Sequence, residues 1–156
     1  MNVNITWKGG MAFEGAGNSG FIQKMDTGSS IGGGDSAGGP MEFIALGLAG
    51  CTGMDVISIL QKKKQPVIGF NVRVTAGRSQ DHPKVFTDAV IEYLIVGRNV
   101  EEAAVLRAIE LSAEKYCPAH AMLSKAFPIR MVYTLFNDDG ETVIKKGEYT
   151  KKSAEG

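Results

Sequence analysis

The chain has 156 residues, 44% of them apolar, which suits one domain with a sizeable core. Its 17 basic and 17 acidic residues cancel, so no net field would concentrate nucleic acid or an anionic membrane surface. The N-terminus has no basic region followed by an apolar run, and two cysteines are too few for a disulfide scaffold. We therefore expect a cytoplasmic protein with free thiols that binds neither nucleic acid nor membrane.

The N-terminal third predicts a β-meander. Apolar and polar residues alternate from Val3 to Trp7, the pattern of a strand with one buried face. Residues 11–15 and 21–25 predict two further short strands. Residues 27–39, with six glycines and three serines, predict a flexible loop.

A long central helix is predicted next. Pro40 supplies the fixed φ of a first helical position, Glu42 suits the first turn, and the polar stop begins at about Lys62. Residues 43–60 carry only Asp55 as a charged residue and approach the roughly 20 residues that span a bilayer. Because Asp55 lies well inside this run, we interpret it as a helix buried on all sides by its own fold or by a partner chain.

The second half predicts a long β-hairpin followed by helices. Alternation over residues 70–74 and β-branched and aromatic residues over 85–96 give the hairpin. Asn99 and Glu102 are spaced as a capping box, which would open a helix. An apolar stripe along that helix leads to Cys117, and its members are Val105, Ile109 and Tyr116.

The C-terminal part predicts a short helix over 119–126 and a last strand over 129–136. The resulting order is βββ-α-ββ-αα-β, an α+β fold. One domain would cover residues 1–140, and residues 141–156 would form a polar, mobile tail.

Two cysteines carry the candidate chemistry, because a thiolate is a strong nucleophile. Cys51 lies in the central helix among glycines at three-residue spacing, which predicts a close approach by another helix or a ligand on its face. Cys117 precedes Pro118, where an irregular helix end would leave its thiol free to move. From the residues alone, Cys51 is equally compatible with ordinary packing, and for Cys117 ordinary packing at a buried helix end is favoured.

Other kinds of site are disfavoured. A metal site formed by Cys51, Cys117 and His120 lacks a close-spaced ligand pair, and His120 is expected to be a hydrogen-bonded helix residue. The sequence has neither a phosphate-binding Gly-Lys-Ser/Thr motif nor a Gly-x-Ser-x-Gly motif. We expect no cofactor.

Three short segments together resemble the OsmC/Ohr family, the osmotically inducible and organic-hydroperoxide-resistance proteins. They are PMEF at 40–43, AGCT at 49–52 and YCPAH at 116–120. The similarity extends from the first strand to the last predicted strand, including the order of the elements. It implies an OsmC-like fold in which antiparallel sheets wrap a long buried central helix, as an intertwined homodimer with the reactive site at the subunit boundary.

The resemblance also implies a reaction for defence against oxidative or osmotic stress. Cys51 would attack a hydroperoxide, release an alcohol or water, and become a sulfenic acid. Cys117 would convert this acid to a disulfide, which an external dithiol would reduce. The apolar surroundings would favour organic hydroperoxides over hydrogen peroxide.

The chain departs from the family's well-studied peroxidases at the residues that activate the thiolate. Where those proteins have an arginine and a glutamate, this chain has Met11 and Met41. Glu42 stands one place later, as in a divergent branch of the family, and would either orient a cation or only satisfy the helix N-terminus. Candidate replacement cations are Lys8, Lys24 and the arginines of residues 66–98.

Two alternatives to a peroxidase remain open. Loss of the activating pair would leave an apolar cleft, so the protein would be a non-catalytic dimer that binds a small apolar or electrophilic ligand in the same pocket. Alternatively, both thiols would be packing residues of an interlocked fold.

Overall fold

The computed structural model describes residues 1–151. Residue contacts divide the chain into two compact units, one up to Ile44 and the other from Ala45 onward, which are described separately. The strands are β1 (Val3–Gly9), β2 (Ala12–Gly17), β3 (Ile22–Met25), β4 (Val67–Arg78), β5 (Phe86–Gly97), β6 (Ile129–Phe136) and β7 (Val143–Tyr149). The α-helices are α1 (Pro40–Lys62), α2 (Glu102–Leu111) and α3 (Pro118–Leu123).

The first unit is the predicted β-meander, an antiparallel sheet in the order β1-β2-β3. The expected buried face of β1 is not covered within a single chain. Val3 is 77% exposed, Ile5 53% and Trp7 63%. An apolar strip of this kind usually marks a surface that meets another molecule.

The glycine-rich loop of this unit is organised around one carboxylate, contrary to the prediction of a flexible loop. Asp26 is only 3% exposed. Its oxygens accept hydrogen bonds from the N–H groups of Thr27, Gly34 and Ser36 and from the Ser36 hydroxyl. The Ser36 hydroxyl first, and then the N–H donors, lower the pKa of Asp26 to about 2.

We expect Asp26→Asn to loosen the loop, because an amide NH₂ would face the N–H donors of Gly34 and Ser36. Amide hydrogen exchange over residues 27–39 should accelerate, whereas Asp35→Asn, which alters an exposed carboxylate in the same loop, should change it little. In the native chain the pKa of Asp26 is lower than its ordinary 3.8, so the carboxylate's contribution to stability is complete above that pH and is lost as the pH falls towards 2. Equal exchange in the two variants would contradict this role of Asp26.

Helix α1 has the predicted bounds, and within a single chain it is buried along one face. Its buried residues are Leu48, Thr52, Gly53, Val56, Ile59 and Leu60. On other faces Leu46 is 58% exposed and Met54 73% exposed. By length and composition alone α1 could cross a membrane, a test that the core helix of a soluble protein also passes.

The second unit contains a sheet in the order β4-β5-β6-β7. β4 and β5 form the predicted hairpin, and β6 and β7 also pair antiparallel. β5 and β6 pair in parallel, which differs from the predicted antiparallel sheets. The reason is the connection between them, since α2 and α3 form the crossover that a parallel pair requires.

Gly53 allows α1 to lie close to this sheet. A Cβ atom at Gly53 would be 3.2 Å from Cγ2 of Val72 on β4. The glycine spacing predicted a close approach by another helix or a ligand, but the element that approaches α1 here is a strand. Apart from the adjacent residues and the backbone of α1 itself, no atom of residues 1–151 lies within 4 Å of a Cβ built at Gly47 or Gly50.

The predicted mobile tail from residue 141 is wrong for residues 143–149, which form β7 against β6. The Asp139 carboxylate accepts hydrogen bonds from the N–H groups of Glu141 and Thr142, which fixes the turn into β7. An ion pair of 2.8 Å between Arg130 and Glu148 joins the two strands. Most side chains of β7 are exposed, so the sequence carries little apolar alternation there. Residues 152–156 of the predicted tail lie outside the described residues.

The predicted capping box at the start of α2 is also wrong. Asn99 has a left-handed φ of 60° and precedes the helix, whose N-cap is Glu101 without a side-chain cap. The Glu102 carboxylate instead accepts a hydrogen bond from the Tyr133 hydroxyl. A π-helical segment, Ser112–Tyr116, follows α2, and this wider turn leaves Tyr116 49% exposed.

Candidate active site

The π-helical segment after α2 positions Cys117. The N–H of Cys117 donates to the carbonyl of Ser112, five residues back, at 2.9 Å. Cys117 is then extended and caps α3, with Sγ accepting the N–H of His120 at 3.3 Å. Pro118 occupies the first helical position, where its missing N–H costs nothing. Cys117 is therefore held by backbone hydrogen bonds on both sides and is 2% exposed.

The structure brings the two predicted cysteines together. The half-buried Cys51 on α1 lies close enough to Cys117 for the two side chains to interact, and both are free thiols. Burial first, and then the neighbouring Cys51 thiol, raise the pKa of Cys117 to about 12, although the N–H of His120 acts in the opposite direction. The charges that act on Cys117 are those of Cys51 and Asp55, and both raise its pKa further. Cys117 is therefore a neutral thiol at physiological pH.

A chain of hydroxyl groups lies beside the thiol pair. The hydroxyl of Thr52 on α1 is 2.5 Å from that of Tyr93 on β5 and 3.0 Å from that of Ser112. Ser112 Oγ donates to Asp55 Oδ2 at 3.0 Å. All three hydroxyl-bearing residues are buried, and Asp55 is half-buried.

Most of this chain of hydroxyl groups was not predicted from the sequence. Thr52 and Asp55 stand three residues apart on a predicted helix, so their position on one helix face could have been predicted from the sequence. Tyr93 and Ser112 gave no such signal, because they come from a strand and from a segment whose π-helical turn was not predicted. Burial raises the pKa of Tyr93 well above its usual value, and the charges of Cys117 and Asp55 add to this effect.

His120 is a hydrogen-bonded helix residue, as predicted. Its Nδ1 lies 3.2 Å from the carbonyl oxygen of Ala113. Burial lowers the pKa of His120, which favours the neutral imidazole. Within residues 1–151, no group of three or more His, Cys, Asp or Glu side chains is arranged to hold a metal ion.

The residues at the position of the family's activating pair are both apolar. Met11 is 48% exposed and Met41 is half-buried. Glu42 is exposed in the first turn of α1, with its carboxylate close to Gly38, and has no ion-pair partner in the described part of the chain. Its role in orienting a cation stays a prediction.

Two of the candidate replacement cations are already paired. Lys8 lies 3.4 Å from Glu14, and Arg73 lies 3.7 Å from Glu92. Both pairs are solvent-exposed, so each is worth little and would exchange partners readily. The geometry selects no cation as the substitute for the missing arginine.

Comparisons with known proteins agree on one family. A family model described as OsmC-like protein matches residues 32–132. Protein YhfA of Escherichia coli strain K12 is 40% identical over 133 residues, which cover 85% of this chain and 96% of YhfA. A hypothetical protein from Aquifex aeolicus VF5 is 27% identical with a TM-score of 0.76, covering 87% of this chain and 96% of that one. An organic hydroperoxide resistance protein from Elizabethkingia anophelis shares the fold at 16% identity, with a TM-score of 0.62 and coverage of 88% and 96%.

Proposed function

Since the chain belongs to the OsmC-like protein family, we propose that it reduces organic hydroperoxides through Cys51 and Cys117. The observation that supports this most directly is the proximity of these two thiols, which come from distant parts of the sequence. Family relatives that are named organic hydroperoxide resistance proteins support the choice of substrate class.

Cys51 is proposed as the thiol that meets the peroxide. It is half-buried, whereas Cys117 is 2% exposed and stays protonated. The Cys51 sulfur attacks the terminal oxygen of the hydroperoxide and the O–O bond breaks. The departing alkoxide takes the proton of the Cys51 thiol and leaves as the alcohol. The sulfur is thereby oxidised to a sulfenic acid.

Cys117 completes the cycle as the resolving thiol. Its sulfur displaces the hydroxyl group of the sulfenic acid, which leaves as water, and an S–S bond forms. An external dithiol then reduces the disulfide by thiol–disulfide exchange. An alkyl hydroperoxide loses less hydration than hydrogen peroxide on entering so dry a site, which favours organic substrates.

Fully reduced protein mixed with cumene hydroperoxide tests this function. Two thiols should disappear for each cumyl alcohol formed, and hydrogen peroxide should react more slowly. No loss of thiol with excess cumene hydroperoxide would refute the proposed function.

We further propose that the protein is a homodimer. The apolar strip formed by Val3, Ile5 and Trp7 is exposed in a single chain. Gly47 and Gly50 leave a face of α1 with open space where another helix would fit closely. Both features suit a second copy of the chain, as the family resemblance implies.

We expect Ile5→Lys to weaken dimerisation by about 2 kcal/mol or more, because a buried ammonium group would lie in the interface. Sedimentation velocity over a range of concentrations would measure the change. Thr6→Lys is the matched control, since it adds the same charge to the opposite face of the same strand, across from Glu14. Equal dimer affinity in the two variants would contradict an interface on this strip.

The alternative function is binding of a small apolar or electrophilic ligand without turnover. The observation that favours it is the negative charge of Asp55 beside the thiol pair, with methionines at positions 11 and 41. A ligand retained in native mass spectra of the purified protein, together with unreactive thiols, would support this alternative.

A further inference from the structure

Ser112 is bonded to both segments that carry the cysteines. Its carbonyl oxygen accepts the N–H of Cys117 at 2.9 Å, which closes the π-helical turn. Its hydroxyl lies 3.0 Å from the hydroxyl of Thr52, and it donates to the carboxylate of Asp55, also on α1, at 3.0 Å. Thr52 directly follows Cys51 in the chain. Hydrogen bonds of Ser112 therefore link α1, beside Cys51, to Cys117.

The two bonds of the Ser112 hydroxyl can exist at the same time. The Asp55 carboxylate only accepts, so the single hydroxyl hydrogen of Ser112 points to it. The Thr52 hydroxyl then donates to a lone pair of Ser112 and accepts from Tyr93. Loss of the Thr52 hydroxyl would break one bond between α1 and Ser112, and loss of the Ser112 hydroxyl would break both.

These bonds lie in a dry part of the molecule, where Ser112 is 0% and Thr52 2% exposed. Burying a hydroxyl costs free energy of desolvation, and apolar residues of the same shape in place of both partners would leave stability nearly unchanged. Stability alone therefore does not account for hydroxyls here. Because hydrogen bonds have preferred lengths and directions, they do fix how α1 lies against the π-helical segment.

We propose that Ser112 is a positioning residue that holds the Cys51 segment of α1 against the Cys117 segment, so that the disulfide forms before a second peroxide reacts. The inference rests on the proposed thiol function and concerns its resolving step. In that step the Cys117 sulfur bonds to the Cys51 sulfur and is oxidised, while the Cys51 sulfur is reduced as its S–O bond breaks. The departing hydroxide takes the Cys117 proton and leaves as water. Poor positioning would instead leave the sulfenic acid to be oxidised to the sulfinic acid.

Positioning of this kind is measured as the effective concentration of one thiol towards the other. The measurement is the equilibrium of the protein with oxidised glutathione, in which two protein thiols become a disulfide and one glutathione disulfide becomes two glutathione thiols. This equilibrium needs no peroxide. It therefore tests the role of Ser112 separately from the proposed function, which fails if the native protein forms no alcohol from cumene hydroperoxide.

We expect Ser112→Ala to lower the effective concentration on the order of 10-fold, because small displacements of reacting groups have large effects. Thr52→Val breaks one bond and should lower it less, with Thr52→Ser restoring the native value. The first equivalent of cumyl alcohol should change far less in rate, since the hydroperoxide meets Cys51 alone. Sulfinic acid at Cys51 should accumulate in Ser112→Ala, which intact mass would show.

Thr134→Val is the matched control, because it also removes a buried hydroxyl. Thr134 on β6 is in register with Leu94, so its side chain lies on the face of the sheet opposite Tyr93. This variant should keep the native equilibrium. A native equilibrium in Ser112→Ala, or an equal fall in Thr134→Val, would overturn the proposal, as would an equal slowing of the first alcohol in Ser112→Ala. If Ser112→Ala does not fold by circular dichroism, a native equilibrium in Thr52→Val is the contradicting result.

Discussion

Cys51→Ser is expected to abolish hydroperoxide reduction, because a serine hydroxyl is not ionised at neutral pH and does not form the sulfenic acid. Cys117→Ser should give a different result. One equivalent of alcohol should form per chain, after which the Cys51 sulfenic acid persists without its resolving partner. With further peroxide it should be oxidised to the sulfinic acid.

Quantifying the alcohol and determining the intact mass of each variant would check these outcomes. Each serine variant serves as the control for the other, since both lose one thiol of the same neighbouring pair. If Cys51→Ser kept turnover while Cys117→Ser lost it, the assigned roles would be reversed. Native turnover in both variants would leave the thiols as packing residues.

Leu60→Ala is expected to destabilise the fold by ~2–5 kcal/mol, the range for emptying a fully buried leucine site. Leu60 is 0% exposed and belongs to the core cluster in which α1 packs with β5 and α2. Met122→Ala should cost far less, because Met122 is 67% exposed. Urea unfolding followed by circular dichroism at matched protein concentration would measure both values. A similar midpoint for the two variants would show that α1 contributes little to the core.

The bounds of α1 could be predicted from the sequence because its signals are local. Pro40, the acid of the first turn and the lysines of the last turn all act within a few residues of the helix ends. The hairpin β4-β5 could be predicted for the same reason, since strand alternation is visible in the chain itself.

Features that depend on distant contacts were missed. Strand β7 is exposed along most of its length, and its place is set by pairing with β6 rather than by an apolar pattern. The capping motif at Asn99 and Glu102 failed because Asn99 adopts a left-handed turn and Glu102 is bonded to Tyr133. Local pattern and tertiary contact compete at such positions, and tertiary contact determined the structure here.

Only part of the candidate site could be predicted from the sequence, because the other part depends on contacts between distant residues. The two cysteines were identified by their motifs, which are readable in the sequence, and the family resemblance implied their pairing. Tyr93 and Ser112 join the site only because β5 and the π-helical segment meet Thr52 in space. No spacing in the sequence connects residues that lie 41 and 60 positions from Thr52.

Pairing of the two sulfur atoms can be tested by peptide mapping after oxidation. Reduced protein is treated with one equivalent of cumene hydroperoxide, remaining thiols are alkylated under denaturing conditions, and the digest is examined by mass spectrometry. We expect one cross-linked peptide that joins Cys51 to Cys117 within a single chain. Separate oxidation of the two cysteines to sulfinic or sulfonic acids, with no such peptide, would contradict it.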